Sequence, residues 1–151
     1  MTTPIPARPR IVVGVDGSDS SRDALRWALK YAHGYDFQVE AVTAWNCPVF
    51  FSAHAAPSAD EAIARSNAER LLTTAVADAT RDDSSAHIST RVIRGAPDEV
   101  LLAVAHGAST LVVGHRSRKS LTHSILSGPS VSRRCTRKAD CRVVVVREST
   151  P

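Results

Sequence analysis

Long hydrophobic runs are absent from this sequence of 151 residues. Unbroken apolar runs such as Val143–Val146 reach only a few residues, whereas a helix that crosses a bilayer needs about 20 apolar residues. The N-terminal residues 1–9 are rich in proline and lack the apolar centre of a secretory signal. We therefore expect a flexible leader over 1–9, a single domain over 10–151, a cytoplasmic location and no association with a membrane.

Cysteine is scarce, with Cys47, Cys135 and Cys141 as the only three, and no pair has a Cys-x-x-Cys spacing. An odd count without that spacing excludes a disulfide framework and a zinc ribbon. The six histidines show no ligand spacing with the cysteines. The sequence therefore predicts free thiols, buried or half-buried, and no metal site.

Aromatic residues make up only 5% of the chain, which argues against a base-stacking surface and hence against nucleic-acid binding. Positive charge, by contrast, is concentrated locally. Between Arg116 and Arg142 there are eight basic residues and one acidic residue, Asp140, and such a field attracts anions. Four of the eight are interpreted as the solvated face of the last predicted helix: Arg133, Arg134, Arg137 and Lys138.

Short β-branched segments alternate with segments of helical spacing along the whole chain. Strands are predicted over 10–15, 37–45, 87–93, 110–113 and 142–147, and helices over 20–34, 58–81, 98–106 and 131–138. This alternation predicts an α/β fold with a parallel sheet, right-handed crossovers and helices on both faces. A ligand crevice is then expected beyond the carboxyl ends of the first and fourth strands, where the strand order reverses.

The ends of the first helix have local signals of their own. Ser20, three residues before Asp23, predicts a capping box at the start. Gly34 predicts a glycine stop at the end.

The motifs in this order resemble the universal stress protein family. The matching segments are 11–18 (Ile-Val-Val-Gly-Val-Asp-Gly-Ser), 95–97 (Gly-Ala-Pro), 111–114 (Leu-Val-Val-Gly), 130–132 (Ser-Val-Ser) and Cys135 with the closing valine strand. The resemblance implies a Rossmann-like open sheet of five parallel strands in the order 3-2-1-4-5. It also implies a homodimer formed by edge-to-edge pairing of the last strands, here the four valines Val143, Val144, Val145 and Val146.

Many members of that family bind ATP through a Gly-x2-Gly-x9-Gly-Ser/Thr pattern after the fourth strand, because glycines let the backbone approach phosphates and helix N-terminal amides donate to them. By resemblance, Asp16 would accept a hydrogen bond from adenine, the main chain of Ala44 would complete the base pocket, and Val113 with Gly114 would line the ribose and phosphate path. The expected ligand is ATP or another adenine nucleotide, with Mg²⁺ as a candidate companion. The predicted site residues are Asp16, Gly17, Ala44, Val113, Gly114, Arg116, Ser117, Gly128, Ser130 and Val131.

This chain departs from the family pattern in the phosphate loop. Ser117 occupies the second glycine position, Ser127 follows it after nine intervening residues, and one or two residues are inserted before the 130–132 match. Pro129 has no N–H to donate to a phosphate. Since Arg116, Arg118 and Lys119 offer charge instead of amides, we expect weak ATP affinity that falls as ionic strength rises.

Three functional hypotheses follow. The first is a stress-response or regulatory protein that acts by binding a nucleotide rather than by turnover, with no catalytic residues assigned and weak ATP hydrolysis left open. The second is a dimeric protein-interaction module that binds no nucleotide. The third is an adenylylating enzyme, because residues 16–20 partly resemble the Ser-Gly-Gly-x-Asp-Ser loop of ATP pyrophosphatases, although Val15 and Asp16 replace its first two residues.

Overall fold

A computed structural model describes residues 8–46, 59–83, 85–115 and 130–148. In these ranges five strands alternate with four helices, as the sequence predicts. The strands are β1 (Arg10–Gly14), β2 (Gln38–Trp45), β3 (Ile88–Arg94), β4 (Thr110–Gly114) and β5 (Arg142–Val146). The helices are α1 (Asp19–Tyr35), α2 (Ala59–Ala79), α3 (Pro97–Ala105) and α4 (Val131–Lys138). Within the part of the chain that is described, no helix has the length and hydrophobicity that crossing a membrane requires.

The strands form one parallel sheet in the order β3-β2-β1-β4-β5, which confirms the predicted fold class. β1 lies at the centre, where Val12 pairs with Glu40 of β2 on one side and with Leu111 of β4 on the other. The chain leaves β1 toward β2 and reaches β4 only after β3, so the strand order reverses between β1 and β4. Ligand crevices of open α/β sheets lie at such a reversal.

The core has two layers, one on each face of the sheet, because successive residues of a strand point to opposite faces. Helices α1 and α2 cover one face, where Ile11 packs with Leu25 and Leu72. Helices α3 and α4 cover the other, where Leu111 packs with Leu101. All three residues of β1 between its ends, 11–13, are fully buried, as expected for a parallel strand covered on both faces.

Helix α1 begins two residues earlier than the capping box at Ser20 predicts, so that prediction is wrong. The N-cap is Ser18, whose Oγ accepts a hydrogen bond from the Ser21 amide at 3.2 Å. Ser20 instead lies inside the first turn and is buried. The turn that follows β1 brings the Ser18 hydroxyl to the helix end first, which leaves no capping role for Ser20.

The predicted stop at Gly34 is also wrong, because α1 continues to Tyr35. The left-handed conformation falls on Asp36, at φ 56° and ψ 42°, and its N–H donates to the carbonyl of Ala32. Aspartate is one of the few residues whose short polar side chain tolerates this conformation.

A buried carboxylate connects three strands of the sheet. Glu40 of β2 is only 6% exposed, and its oxygens accept from Arg10 at 2.6 Å and from Arg91 at 3.1 Å. A second nitrogen of Arg10 donates to the carbonyls of Val104 and His106 at the end of α3. The charge of Glu40 is therefore paired, and α3 is held against the start of β1.

Replacing Leu111 with alanine tests the packing around β4. Leu111 is 0% exposed in the core beneath α3 and α4, so Leu111→Ala should lower the free energy of unfolding by about 2 to 5 kcal/mol. The control is Ile63→Ala, since Ile63 of α2 is 58% exposed, and its effect should stay within about 0.5 kcal/mol. Urea unfolding followed by circular dichroism gives both values, and equal losses would contradict the described core.

Candidate functional site

A cavity of about 90 Å³ lies at the carboxyl ends of β1, β2 and β4. Its apolar wall is made by Val42, Leu101 and Val113, one residue from each of β2, α3 and β4. Its mouth is formed by the loop after β1 and by the first turn of α4. The cavity therefore occupies the position that the strand order predicts for a ligand.

Six of the ten predicted site residues line this crevice together. They come from loops and strand ends far apart in the sequence: Asp16, Ala44, Val113, Gly114, Ser130 and Val131. Gly17 does not line it and borders a separate groove between α1 and α2. Arg116, Ser117 and Gly128, like Arg118, Lys119 and Pro129, lie outside the described residues.

The loop between β1 and α1 is held by hydrogen bonds of Asp16. Its Oδ1 accepts from the Ser18 amide at 2.9 Å and from the Ser18 hydroxyl, and its own amide donates to Ser21 Oγ at 3.3 Å. The Asp16 side chain is at the same time exposed at the crevice mouth. Asp16 thus has a turn role in the loop and a position from which its carboxylate can meet a ligand.

Gly114 ends β4 at a point where α1 leaves no room for a side chain. A Cβ there would lie 2.6 Å from Ser20 Oγ and 2.7 Å from the Ser20 carbonyl carbon. Distances below 3 Å to backbone atoms force the backbone itself to shift. Glycine at this position is thus a packing requirement, in addition to the place on the phosphate path that the resemblance implies.

The first turn of α4 presents backbone amides at the crevice. Ser130 is its N-cap and accepts from the Arg133 amide at 3.3 Å. Ser130, Val131 and Ser132 all line the cavity. Helix N-termini carry partial positive charge and unpaired N–H groups, which suit an anion such as phosphate.

An ion pair fixes α4 to α3 beside the crevice. Arg134 Nη1 donates to Asp98 Oδ2 at 2.7 Å, and the Asp98 side chain is 10% exposed while that of Arg134 is 45% exposed. The hydrogen bond from Arg134 lowers the pKa of Asp98 below its usual value, against the opposing effect of burial. Arg134 is exposed, as are Arg133, Arg137 and Lys138, which agrees with the predicted solvated basic face. The sequence did not predict its ion pair with Asp98.

Sequence reasoning missed several crevice residues. Ser20 and Ser21 of α1, together with Pro97 and Leu101 of α3, also line the cavity. The sequence contains the Gly-Ala-Pro segment before α3, and Pro97 does begin that helix. No local sequence pattern, however, indicates that α3 passes under the cavity. Among the described residues, the crevice lining thus combines apolar side chains with serine hydroxyls and one carboxylate, a composition suited to an aromatic base attached to a polar group.

The two cysteines within the described residues are free, as the sequence predicts. Cys135 of α4 is fully buried beneath the crevice wall, and this burial raises its pKa to about 11. Burial also raises the pKa of the half-buried Cys141. Among the described residues, no group of three or more His, Cys, Asp or Glu side chains could hold a metal ion.

Replacing Asp98 with asparagine should remove a pH-dependent part of the stability. Because the folded-state pKa of Asp98 is lowered, its stabilisation is complete above the unfolded pKa of about 3.9 and is lost as pH falls through the lower folded value. Asp98→Asn should lower the free energy of unfolding by about 1 to 2 kcal/mol at pH 7. This difference from the unaltered protein should disappear in acid.

The matched control for this experiment is Asp140→Asn. Asp140 pairs with His106 at 2.7 Å, but both side chains are more than half exposed, so the loss should stay near or below about 0.5 kcal/mol. Urea unfolding at pH 7 and at pH 3 measures both variants. A gap for Asp98→Asn that is independent of pH would contradict the role given to the ion pair.

Comparison with known proteins agrees with this fold. A universal stress protein in complex with cAMP has 28% sequence identity and a TM-score of 0.68, with 95% of this chain and 99% of that chain covered. The protein from Archaeoglobus fulgidus in complex with dAMP has 21% identity and a TM-score of 0.64, with 94% and 99% covered. The protein from Arabidopsis thaliana with AMP bound has 18% identity and a TM-score of 0.63, with 94% and 93% covered.

At identities this low, the last two structures establish the fold alone. No match was found among curated proteins. The model of the universal stress protein family, however, matches residues 8–147, nearly the whole chain. The chain therefore belongs to the universal stress protein family.

Proposed function

We propose that the crevice binds an adenine nucleotide and that the protein acts in the cytosol by binding rather than by turnover. The observation that carries the proposal is the convergence of Asp16, Ala44, Val113, Gly114 and the first turn of α4 around one cavity. Occupancy would act on the loop after β1 and on the start of α4, because both would contact the ligand directly.

Related proteins support this choice of ligand. The relative with 28% identity is in complex with cAMP, and the two more distant ones bind dAMP and AMP. These ligands share an adenine base, a sugar and a single phosphate. The crevice offers an apolar floor for the base and the α4 amides for one phosphate, which supports binding of a monophosphate as well as of ATP.

Each of the six predicted residues that line the crevice has a role in this proposal. The Asp16 carboxylate and the main chain of Ala44 would recognise adenine, and Val113 with Gly114 would contact the sugar. The amides at Ser130 and Val131 would donate to the phosphate. A polyphosphate would bring Mg²⁺ with it, bound through the phosphate oxygens, whereas a monophosphate would not need the ion.

Replacing Asp16 with alanine tests the base-binding role. Loss of a charged hydrogen-bond partner should weaken the binding of AMP, cAMP and ATP about tenfold, measured by isothermal titration calorimetry. The control is Asp60→Ala, because Asp60 is an exposed acid in the first turn of α2. Unchanged affinity in a folded Asp16→Ala protein would leave Asp16 with the turn role alone.

ATP affinity should also fall with added salt if Arg116, Arg118 and Lys119 hold the phosphates.

We also propose that the chain forms a homodimer through β5. This strand is at an edge of the sheet, and Val145 is 38% exposed there. An edge strand of this kind has unpaired backbone groups, and it can pair with a symmetry-related copy.

Val145→Lys tests the proposed dimer, since a lysine on the edge introduces charge repulsion between the two copies. Sedimentation velocity at micromolar concentration should show a dimer for the unaltered chain and a monomer for the variant. Ile63→Lys is the control, because Ile63 is an exposed apolar residue on α2, away from β5, and this variant should remain dimeric. A monomeric unaltered chain, or a dimeric Val145→Lys protein, would overturn the assignment.

A second candidate function is a dimeric protein-interaction module that binds no nucleotide. The replacement of a family glycine by Ser117 and the presence of Pro129 favour it. Ser117 adds a Cβ where the backbone would have to approach the phosphates, and Pro129 has no N–H to donate to them. The calorimetry separates the two candidates: a dimer that binds none of the three nucleotides would support the module.

A further inference from the structure

A second cavity, of about 340 Å³, lies between α1 and α2. It is lined by Gly17, Arg22, Asn67, Arg70, Leu71 and Thr74, and it is called the Arg22–Arg70 groove below. Among the described residues that line it there are two guanidinium groups and no carboxylate. The groove is therefore positively charged and also offers a side-chain amide and a hydroxyl.

The charges of both arginines are only weakly compensated within the described part of the chain. Arg22 Nη1 lies 3.6 Å from Asp19 Oδ1, but the two side chains are 40% and 72% exposed, so solvent screens this ion pair. Arg70 donates to the neutral amide oxygen of Asn67 at 2.6 Å. That bond holds the guanidinium of Arg70 in place without compensating its charge.

Arg22 also has an unsatisfied donor. Its Nε is buried and has no hydrogen-bond partner, the only such side-chain nitrogen or oxygen among the described residues. A buried N–H without an acceptor costs free energy. A planar guanidinium binds oxyanions side-on through Nε and one Nη, so a small rotation of Arg22 toward such an anion would give Nε its missing acceptor.

The groove and the crevice share two short pieces of backbone. Asp16 lines the crevice and its neighbour Gly17 lines the groove, while Ser21 lines the crevice and its neighbour Arg22 lines the groove. The Asp16 amide donates to Ser21 Oγ, which joins the two pieces. An anion held in the groove would therefore contact the back of the loop whose front faces the crevice.

We propose that the Arg22–Arg70 groove is a binding site for a phosphate-type oxyanion, either free phosphate or the phosphate group of a small ester. Arg22 and Arg70 supply the charge, and Thr74 with the Asn67 amide supplies neutral hydrogen bonds. The site is separate from the nucleotide crevice and does not depend on the function proposed for it.

Inorganic phosphate is the probe, titrated into the ¹⁵N-labelled full chain with sodium chloride adjusted to keep ionic strength constant. Saturable chemical-shift changes are expected at the amides of Gly17 and Thr74 and at the side-chain amide of Asn67. Arg22→Gln and Arg70→Gln should each weaken phosphate binding about tenfold or more. Arg22→Lys keeps the positive charge but lacks the paired N–H groups of a guanidinium. Its phosphate affinity should lie between that of Arg22→Gln and that of the unaltered chain.

Arg65→Gln is the matched control, because Arg65 is an exposed arginine of α2 that pairs with Glu69 and does not line the groove. Its phosphate affinity should equal that of the unaltered chain. Shifts that do not saturate, or equal weakening in the Arg65, Arg22 and Arg70 variants, would overturn the site and leave general screening of charge. Shifts confined to Val113 and Ser130 would place the phosphate in the crevice instead and would also overturn it. A parallel titration with glycerol phosphate distinguishes free phosphate from a phosphate ester as the natural ligand. A site for free phosphate should not bind glycerol phosphate, whereas a site for a phosphate ester should bind both inorganic phosphate and glycerol phosphate.

Discussion

The close approach of α1 to the end of β4 is the constraint on which the crevice depends. A Cβ at Gly114 would lie 2.7 Å from the backbone of Ser20. Helix α1 can therefore begin this close to the end of β4 only because residue 114 is a glycine. The same approach puts the loop of Asp16 beside the strand that leads toward α4. The crevice is thus the space beyond the ends of β1 and β4. The helices that follow these strands, α1 and α4, pack on opposite faces of the sheet, as is typical of open α/β sheets where the strand order reverses.

Charged contacts on the α3 side keep the walls of that space in place. Arg10 joins the buried Glu40 to carbonyls at the end of α3, and Asp98 near its start holds Arg134 of α4. Each end of α3 is therefore tied to a different element. Truncating one partner of such a pair leaves a buried charge without compensation, which costs more than the pair itself contributes.

The sequence alone predicted the strands well, because β-branched runs bounded by glycine and polar residues are typical of buried parallel strands. It also predicted that the strand order reverses between β1 and β4, so that their carboxyl ends lie side by side at one edge of the sheet. It could not identify contacts between residues far apart in the chain. Arg134 belongs to a run of basic residues, and only the fold brings Asp98, which lies 36 residues away, within 2.7 Å of it.

Helix ends show a second limit of sequence reasoning. Ser18 and Ser20 are equally good capping residues by type, and the choice between them depends on the direction in which the chain leaves β1. Likewise Gly34 is the residue best suited to a left-handed conformation, yet Asp36 adopts it because α1 continues to Tyr35. Local preference is weaker here than the geometry set by the strands before and after the helix.

The two edges of the sheet differ in the polarity of their side chains, which bears on the dimer proposed above. β5 is a run of valines between two arginines, whereas β3 has exposed Ser89, Thr90 and Arg91 in its first half. Charged and polar side chains on an edge strand discourage the addition of another strand. A chain in which both edge strands could pair with other copies would form fibres. A chain in which only one edge strand can pair forms a closed dimer. If copies pair through β5 as proposed, the polar side chains of β3 would keep the assembly at two copies.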